Sequence, residues 1–130
     1  LMYRYDLDYN QLVCFGFAGR DMDLNYLRWD SYDQPWKERL AERMSRGFYN
    51  AVEYVDETGL LFRSYRKGGG SVTDGLQVYR DGVLVGDVDV PLGFRMAGYV
   101  APYYYSYVVP DEEGERLYMF RFKWPSAPEE

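Results

Sequence analysis

A short phrase of leucine, one or two variable residues, an aromatic residue and arginine occurs three times in this chain. The copies are Leu1–Tyr5, Leu76–Arg80 and Leu117–Arg121, and their first residues are 75 and 41 positions apart. Recurrence of one phrase is typical of a supersecondary unit that is used more than once. A separation of about 41 residues fits four antiparallel strands, and the longer one fits the same unit plus roughly 34 inserted residues. The phrase therefore predicts architecture and carries no chemistry of its own.

Aromatic residues dominate the composition and favour β-structure. They make up 19% of the 130 residues, with 15 tyrosines, and hydrophobic residues reach 47%. Aromatic side chains pack well on pleated, half-buried surfaces, and a chain of this length can bury a core. The same residues would also suit a binding face, so the composition leaves packing and binding both open.

The charge and hydropathy of the chain exclude two classes of partner. The net charge is −6, and no run of basic residues is longer than two. Nucleic-acid affinity depends on clustered lysine and arginine, so no nucleic-acid partner is expected. No apolar stretch approaches the ~20 residues that a membrane span needs. The first residues are polar and aromatic, unlike a signal peptide.

The content of histidine, cysteine and paired carboxylates argues against catalysis. The chain has no histidine, which removes the usual general base and the commonest zinc ligand. Cys14 is the single cysteine, so it cannot form an internal disulfide. Asp87 and Asp89 would point the same way from a strand and could share a cation, although solvent-facing carboxylates at a sheet edge are the favoured explanation of the pair. We therefore predict no catalytic residues, no metal and no cofactor.

Turn-forming residues divide most of the chain into hairpins. Residues 1–17 and 50–66 each read as two short strands around a polar turn. Asp81-Gly82 separates Leu76–Arg80 from Val83–Val90 and is the strongest hairpin signal in the sequence. Residues 50–90 thus supply four consecutive antiparallel strands, and residues 96–124 supply three.

One segment has the pattern of a helix, at residues 34–46. Pro35 lies in the predicted first turn, where its missing N–H costs little, and Gly47 follows the predicted end. The apolar residues Trp36, Leu40 and Met44 recur every fourth position and would form one stripe. We expect this helix to be an insertion between two sheets.

These assignments predict an all-β fold of propeller blades with one inserted α-helix. Residues 1–17 would form half a blade, residues 50–90 a complete blade and residues 96–124 an incomplete last blade, about two and a quarter in total. A complete ring usually has four to eight blades. Either the chain is the C-terminal part of a longer protein, or copies self-associate through open blade edges.

The segment Gly75–Pro91 resembles the outer hairpin of bacterial six-bladed β-propellers. Met96–Tyr99 and Leu117–Phe122 are similar to the last blade of such proteins. The resemblance implies a secreted or lipid-anchored envelope protein in the periplasm or at the cell surface. It also leaves open a rival interpretation, a fragment of a propeller hydrolase or lyase whose catalytic residues lie mostly in missing blades.

A row of tyrosines is the best candidate for a binding surface. Alternation along a strand would send Tyr103, Tyr105 and Tyr107 to one side and Tyr104 to the other. Such rows stack sugars or apolar peptide groups, and arginines would add polar anchors, but packing between blades would use the same rings. The predicted ligand-binding residues are Arg63, Arg66, Arg95, Tyr103, Tyr104 and Tyr105. The predicted function is a non-catalytic binding module with a protein or carbohydrate ligand, with a purely structural, ring-assembling piece as a further alternative.

Overall fold

A computed structural model describes residues 1–22, 46–108 and 118–125, which form three antiparallel sheets and contain no helix. The first sheet, called the ribbon, pairs β1 (Met2–Tyr5) with β2 (Gln11–Phe15). The central sheet has the order β3 (Phe48–Val55), β4 (Leu60–Arg66), β5 (Thr73–Arg80) and β6 (Val83–Pro91). The outer sheet has the order β7 (Phe94–Val100), β8 (Tyr103–Val108) and β9 (Tyr118–Phe122).

Local turn chemistry forms the hairpins of the central sheet. Asp81 and Gly82 join β5 to β6 with φ angles of 51° and 78°. A tight two-residue turn needs positive φ at both positions, and Asp-Gly is a favoured pair there, so the predicted hairpin is confirmed. The turn between β3 and β4 closes with a hydrogen bond of 2.9 Å from the Gly59 N–H to the Val55 carbonyl.

The apolar core lies between the central sheet and the outer sheet. Alternate residues of β4 and β5, including Phe62 and Val78, point towards the outer sheet and are almost fully buried. The Phe62 ring lies 5.0 Å from the Tyr104 ring and 6.2 Å from the Phe122 ring, measured between centroids. Burial of each such side chain stabilises the fold by about 1.5–3 kcal/mol, so this interface holds the two sheets together.

The opposite face of the central sheet is polar and packs against the ribbon and the segment that follows it. It carries Arg63, Tyr65, Gln77 and Tyr79, all of them buried. Gly75 is opposite Tyr65 in the register, and a Cβ at Gly75 would overlap the Tyr65 ring. The absence of a side chain at this position therefore lets the Tyr65 ring lie flat across β5.

The prediction of repeated propeller blades is wrong. Only one of the three sheets has four strands, and the recurring phrase does not mark equivalent strands. It falls on the exposed first strand of the ribbon, on the buried third strand of the central sheet and on the exposed edge strand of the outer sheet. The two faces of the central sheet also differ, because one packs against the apolar core and the other carries the hydrogen-bonded side chains of Arg63 and Gln77.

The predicted inserted helix has no counterpart in the described structure. Residues 34–45 lie outside the described residues, and Arg46, its expected last residue, lies in a bend that leads into β3. No helix that is long and apolar enough to cross a membrane occurs in the described ranges.

Candidate binding surface

The exposed side of the outer sheet carries the tyrosine row. Along β8, Tyr104 and Ser106 are buried, whereas the alternate tyrosines are half-buried on the other side. Cross-strand partners share a face, and they bring cations from both neighbouring strands to these rings. We call this surface the tyrosine face. Its aromatic and charged residues are Arg95, Tyr103, Tyr105, Tyr107, Arg121 and Lys123, and the apolar Val100 and Met119 lie on the same side.

The strand geometry fixes the spacing of the rings. Residues two apart on a strand are separated by about 6.6–6.8 Å, so the three tyrosines span about 13 Å. Gly98 is the β7 partner of Tyr105, and a Cβ at Gly98 would meet no atom within 4 Å. The space beside the middle tyrosine is therefore open.

Two cations lie at one end of the row. The Arg121 guanidinium carbon is 4.4 Å from the Tyr103 ring centroid, and the Lys123 ammonium nitrogen is 5.3 Å from it. Cation–π contacts at exposed sites contribute about 0.5–1 kcal/mol each and hold both partners in position. Arg95, opposite Tyr107 in the register, adds a cation at the other end.

The structure brings three of the six predicted residues together, namely Arg95, Tyr103 and Tyr105. Tyr104 belongs to the core, where it is 3% exposed and stacks on Phe122 with centroids 5.5 Å apart. Whether the predicted residues bind a ligand remains a prediction.

The other two predicted arginines lie on the central sheet, away from the tyrosine face. Arg63 is buried on the ribbon side, and Arg66 forms an ion pair of 3.5 Å with the buried Asp74 carboxylate. Arg121 and Lys123, in contrast, were absent from the predicted set. Their spacing of two residues was the available signal, since it places both on one side of a strand.

Arg63 anchors a buried polar network between the central sheet and the segment after the ribbon. Its guanidinium donates hydrogen bonds to Gln77 Oε1 (2.7 and 2.9 Å), the Tyr79 hydroxyl (3.0 Å) and the Phe17 carbonyl (2.6 Å). The Phe17 carbonyl also accepts from Gln77 Nε2 and from the Tyr49 hydroxyl, both at 3.0 Å. These donors and acceptors satisfy one another's hydrogen bonds, so the network cross-links the central sheet to the segment after the ribbon.

The carboxylate pair of Asp87 and Asp89 lies beside this network, and both carboxylates already accept hydrogen bonds from the protein. The Asp87 carboxylate accepts from the Tyr65 hydroxyl and the Arg20 N–H, and Asp89 accepts from Lys67 and from the Arg20 guanidinium. The hydrogen bond from Lys67, then that from Arg20, lowers the pKa of Asp89, whereas burial, then the hydrogen bond to Asp87, raises the pKa of Tyr65. Within the described ranges no cluster of side chains is suited to hold a metal ion.

A groove of about 620 Å³ lies between the ribbon and the central sheet. Apolar groups from both sheets line it, among them Tyr5, Leu12 and Tyr54, together with one basic residue, Arg4, and one acidic residue, Asp81. These opposite charges favour no particular ligand charge. The tyrosine face is therefore the more specific candidate.

Comparison with protein-family models, curated proteins and solved structures found no match to this chain. The resemblance to six-bladed propellers gains neither support nor contradiction from these searches. The envelope location that it implies likewise stays a prediction.

Proposed function

We propose that this chain is a non-catalytic module that binds carbohydrate on the tyrosine face. The observation that carries the proposal is the row of three tyrosines at strand spacing with cations at both ends. The apolar faces of sugar rings stack on aromatic rings, while tyrosine hydroxyls and cationic side chains bond to sugar hydroxyl groups.

The position of β8 in the sheet favours a sugar over an extended peptide. Peptides commonly add to a sheet as an extra strand, through main-chain hydrogen bonds at an edge. β8 is the middle strand and pairs with both β7 and β9. A ligand on the tyrosine face must therefore be recognised by side chains, which suits ring stacking.

The residue types on this face support binding rather than catalysis. Glycoside hydrolysis generally needs two carboxyl groups that flank the scissile bond. The face carries tyrosine, arginine and lysine, and no carboxylate among the described residues of the outer sheet. A tyrosine row without an acid–base pair holds a sugar without cleaving it.

Calorimetric titration with a panel of oligosaccharides tests the proposal. Tyr105→Ala removes the middle ring and should weaken binding about tenfold, since one lost stacking contact is worth roughly 1.5 kcal/mol. Tyr118→Ala is the matched control, because Tyr118 is 60% exposed on the same sheet but opposite Val108, on the side away from the row. Equal losses in both variants, or no binding to any oligosaccharide, would contradict the proposal.

A further inference from the structure

We infer that the sugar held on the tyrosine face carries an isolated anionic group, such as the carboxylate of a uronic acid. This inference rests on the proposed function, because it names the ligand class of the same surface. It starts from the distribution of charge. The chain has 21 acidic and 15 basic residues, yet the described part of the outer sheet (94–108 and 118–125) contains three cations and no acid.

The cations of the tyrosine face differ in their partners from the cations on and beside the central sheet. Lys67 and Arg20 both pair with Asp89, and Arg66 pairs with Asp74. Arg121, Lys123 and Arg95 have no carboxylate partner within the described residues. Residues 109–117, which include four acidic residues, lie outside that part of the chain.

The geometry leaves the Arg121 guanidinium able to accept a ligand anion. Arg121 is exposed, and its guanidinium carbon lies 4.4 Å from the Tyr103 ring centroid, with no protein acceptor for its N–H groups among the described residues. The N–H donors lie in the guanidinium plane and match the two oxygens of a carboxylate. A sugar that stacks on Tyr105 would place a carboxylate within reach of Arg121, its partner on β9.

The charge of the whole chain sets an upper limit on the ligand's charge. A net charge of −6 repels a polyanion at long range, and three cations are few for nucleic-acid binding. An oligosaccharide with one acidic residue can still pair with the local cations, and the net charge of the chain repels it less than it repels a polyanion. We therefore favour an isolated acidic sugar over a polyanion.

A pair of probes that differ only in charge tests the inference with the full 130-residue chain. The acidic probe is xylotriose carrying one glucuronic acid, and the neutral probe is the same oligosaccharide after reduction of its carboxyl group. The acidic probe should bind about tenfold more tightly at low salt, because charge-assisted hydrogen bonds are stronger than neutral ones. Arg121→Gln should remove this preference, whereas Arg4→Gln on the ribbon should leave it unchanged.

Gly98 offers a second test that leaves the cations in place. Gly98→Glu adds a carboxylate in the open space opposite Tyr105, and Gly98→Gln adds the same bulk without charge. The acidic probe should bind at least several-fold more weakly to the glutamate variant than to the glutamine variant, since like charges repel at short range. The neutral probe should not distinguish the two variants.

The outcomes separate this inference from the function on which it rests. Equal affinity for both probes, with both weakened about tenfold by Tyr105→Ala, would overturn the anionic ligand and leave carbohydrate binding in place. Failure of both probes and of the wider oligosaccharide panel would overturn the function as well. Tight binding of oligothymidylate that Tyr105→Ala abolishes would overturn both in favour of a nucleic acid.

Discussion

Among the described residues, arginine lies over a tyrosine ring on the ribbon side of the central sheet and again on the tyrosine face, and the two sites differ in what surrounds the cation. On the ribbon side of the central sheet, the Arg63 guanidinium carbon is 3.8 Å from the Tyr49 centroid, and Arg63 is 3% exposed. On the tyrosine face, the corresponding distance from Arg121 to Tyr103 is 4.4 Å, and Arg121 is exposed. The same pair of residue types therefore occurs both buried and in solvent.

The difference lies in the hydrogen-bond acceptors. Three acceptors surround Arg63, including the main-chain carbonyl of Phe17, so the buried cation links two parts of the fold. Within the described residues Arg121 has a ring but no acceptor. A buried cation with protein acceptors stabilises the structure, whereas an exposed cation without a protein acceptor keeps its N–H donors available to a ligand.

The largest expected effect is on the buried side of this comparison. Arg63→Met should lower the free energy of unfolding by about 2–4 kcal/mol, because it leaves buried polar partners without their donor and replaces a planar head group with a poorer fit. Urea unfolding of the variant would measure this loss. Arg121→Met is the control and should change stability by less than about 0.5 kcal/mol. Similar losses in the two variants would contradict the distinction between them.

Glycine substitution extends the comparison to the backbone. Gly75→Ala should destabilise the fold by about 1–3 kcal/mol, since the added methyl group would displace the buried Tyr65 ring. Gly98→Ala should be close to neutral, because its methyl group would enter open space. Thermal unfolding of both variants is the measurement. A large loss in Gly98→Ala would mean that the tyrosine face is covered.

Sequence reasoning succeeded where structure depends on neighbouring residues. The β5–β6 hairpin was predictable because Asp81-Gly82 tolerates positive φ, and the alternation of Tyr104 with its neighbours follows from strand geometry. It failed where burial depends on the position of a strand in its sheet. The recurring phrase is a local pattern, but its burial depends on the strands that pair with it. Similar segments therefore lie on the exposed β1 and on the buried β5.

The two sides of the comparison were equally hard to assign from sequence. Arg63 was predicted to bind a ligand. In the structure its guanidinium donates to the Phe17 carbonyl, which is 46 residues away in the chain and could not be identified from neighbouring residues. Arg121 was missed because its link to the tyrosines depends on the pairing of β9 with β8. Neither contact can be read from neighbouring residues, because the two-residue spacing of Arg121 and Lys123 indicates a shared strand face but not which strand pairs with it.

Acid should weaken the ribbon side of the central sheet before it affects the tyrosine face. The pKa of Asp89 is lowered in the fold, so the stability it contributes is present above its unfolded value of about 4 and is lost as pH falls through the lower folded value. Unfolding free energies measured between pH 5 and 2 should fall less steeply in Asp89→Asn. Ring resonances of Tyr103 should stay constant until global unfolding begins. An unchanged slope in the variant would contradict this role for Asp89.

The smallest expected effect is the coupling between Arg121 and Tyr103. A double-mutant cycle with Arg121→Gln and Tyr103→Leu should give a coupling free energy of about 0.5 kcal/mol, the usual size for an exposed cation–π contact. Desolvation strengthens such contacts to about 2 kcal/mol or more. A coupling that large in the free protein would show that the tyrosine face is buried without any ligand. Arg121 would then be a buried structural residue like Arg63. The difference between an exposed and a buried arginine, on which the proposed sugar binding depends, would no longer hold.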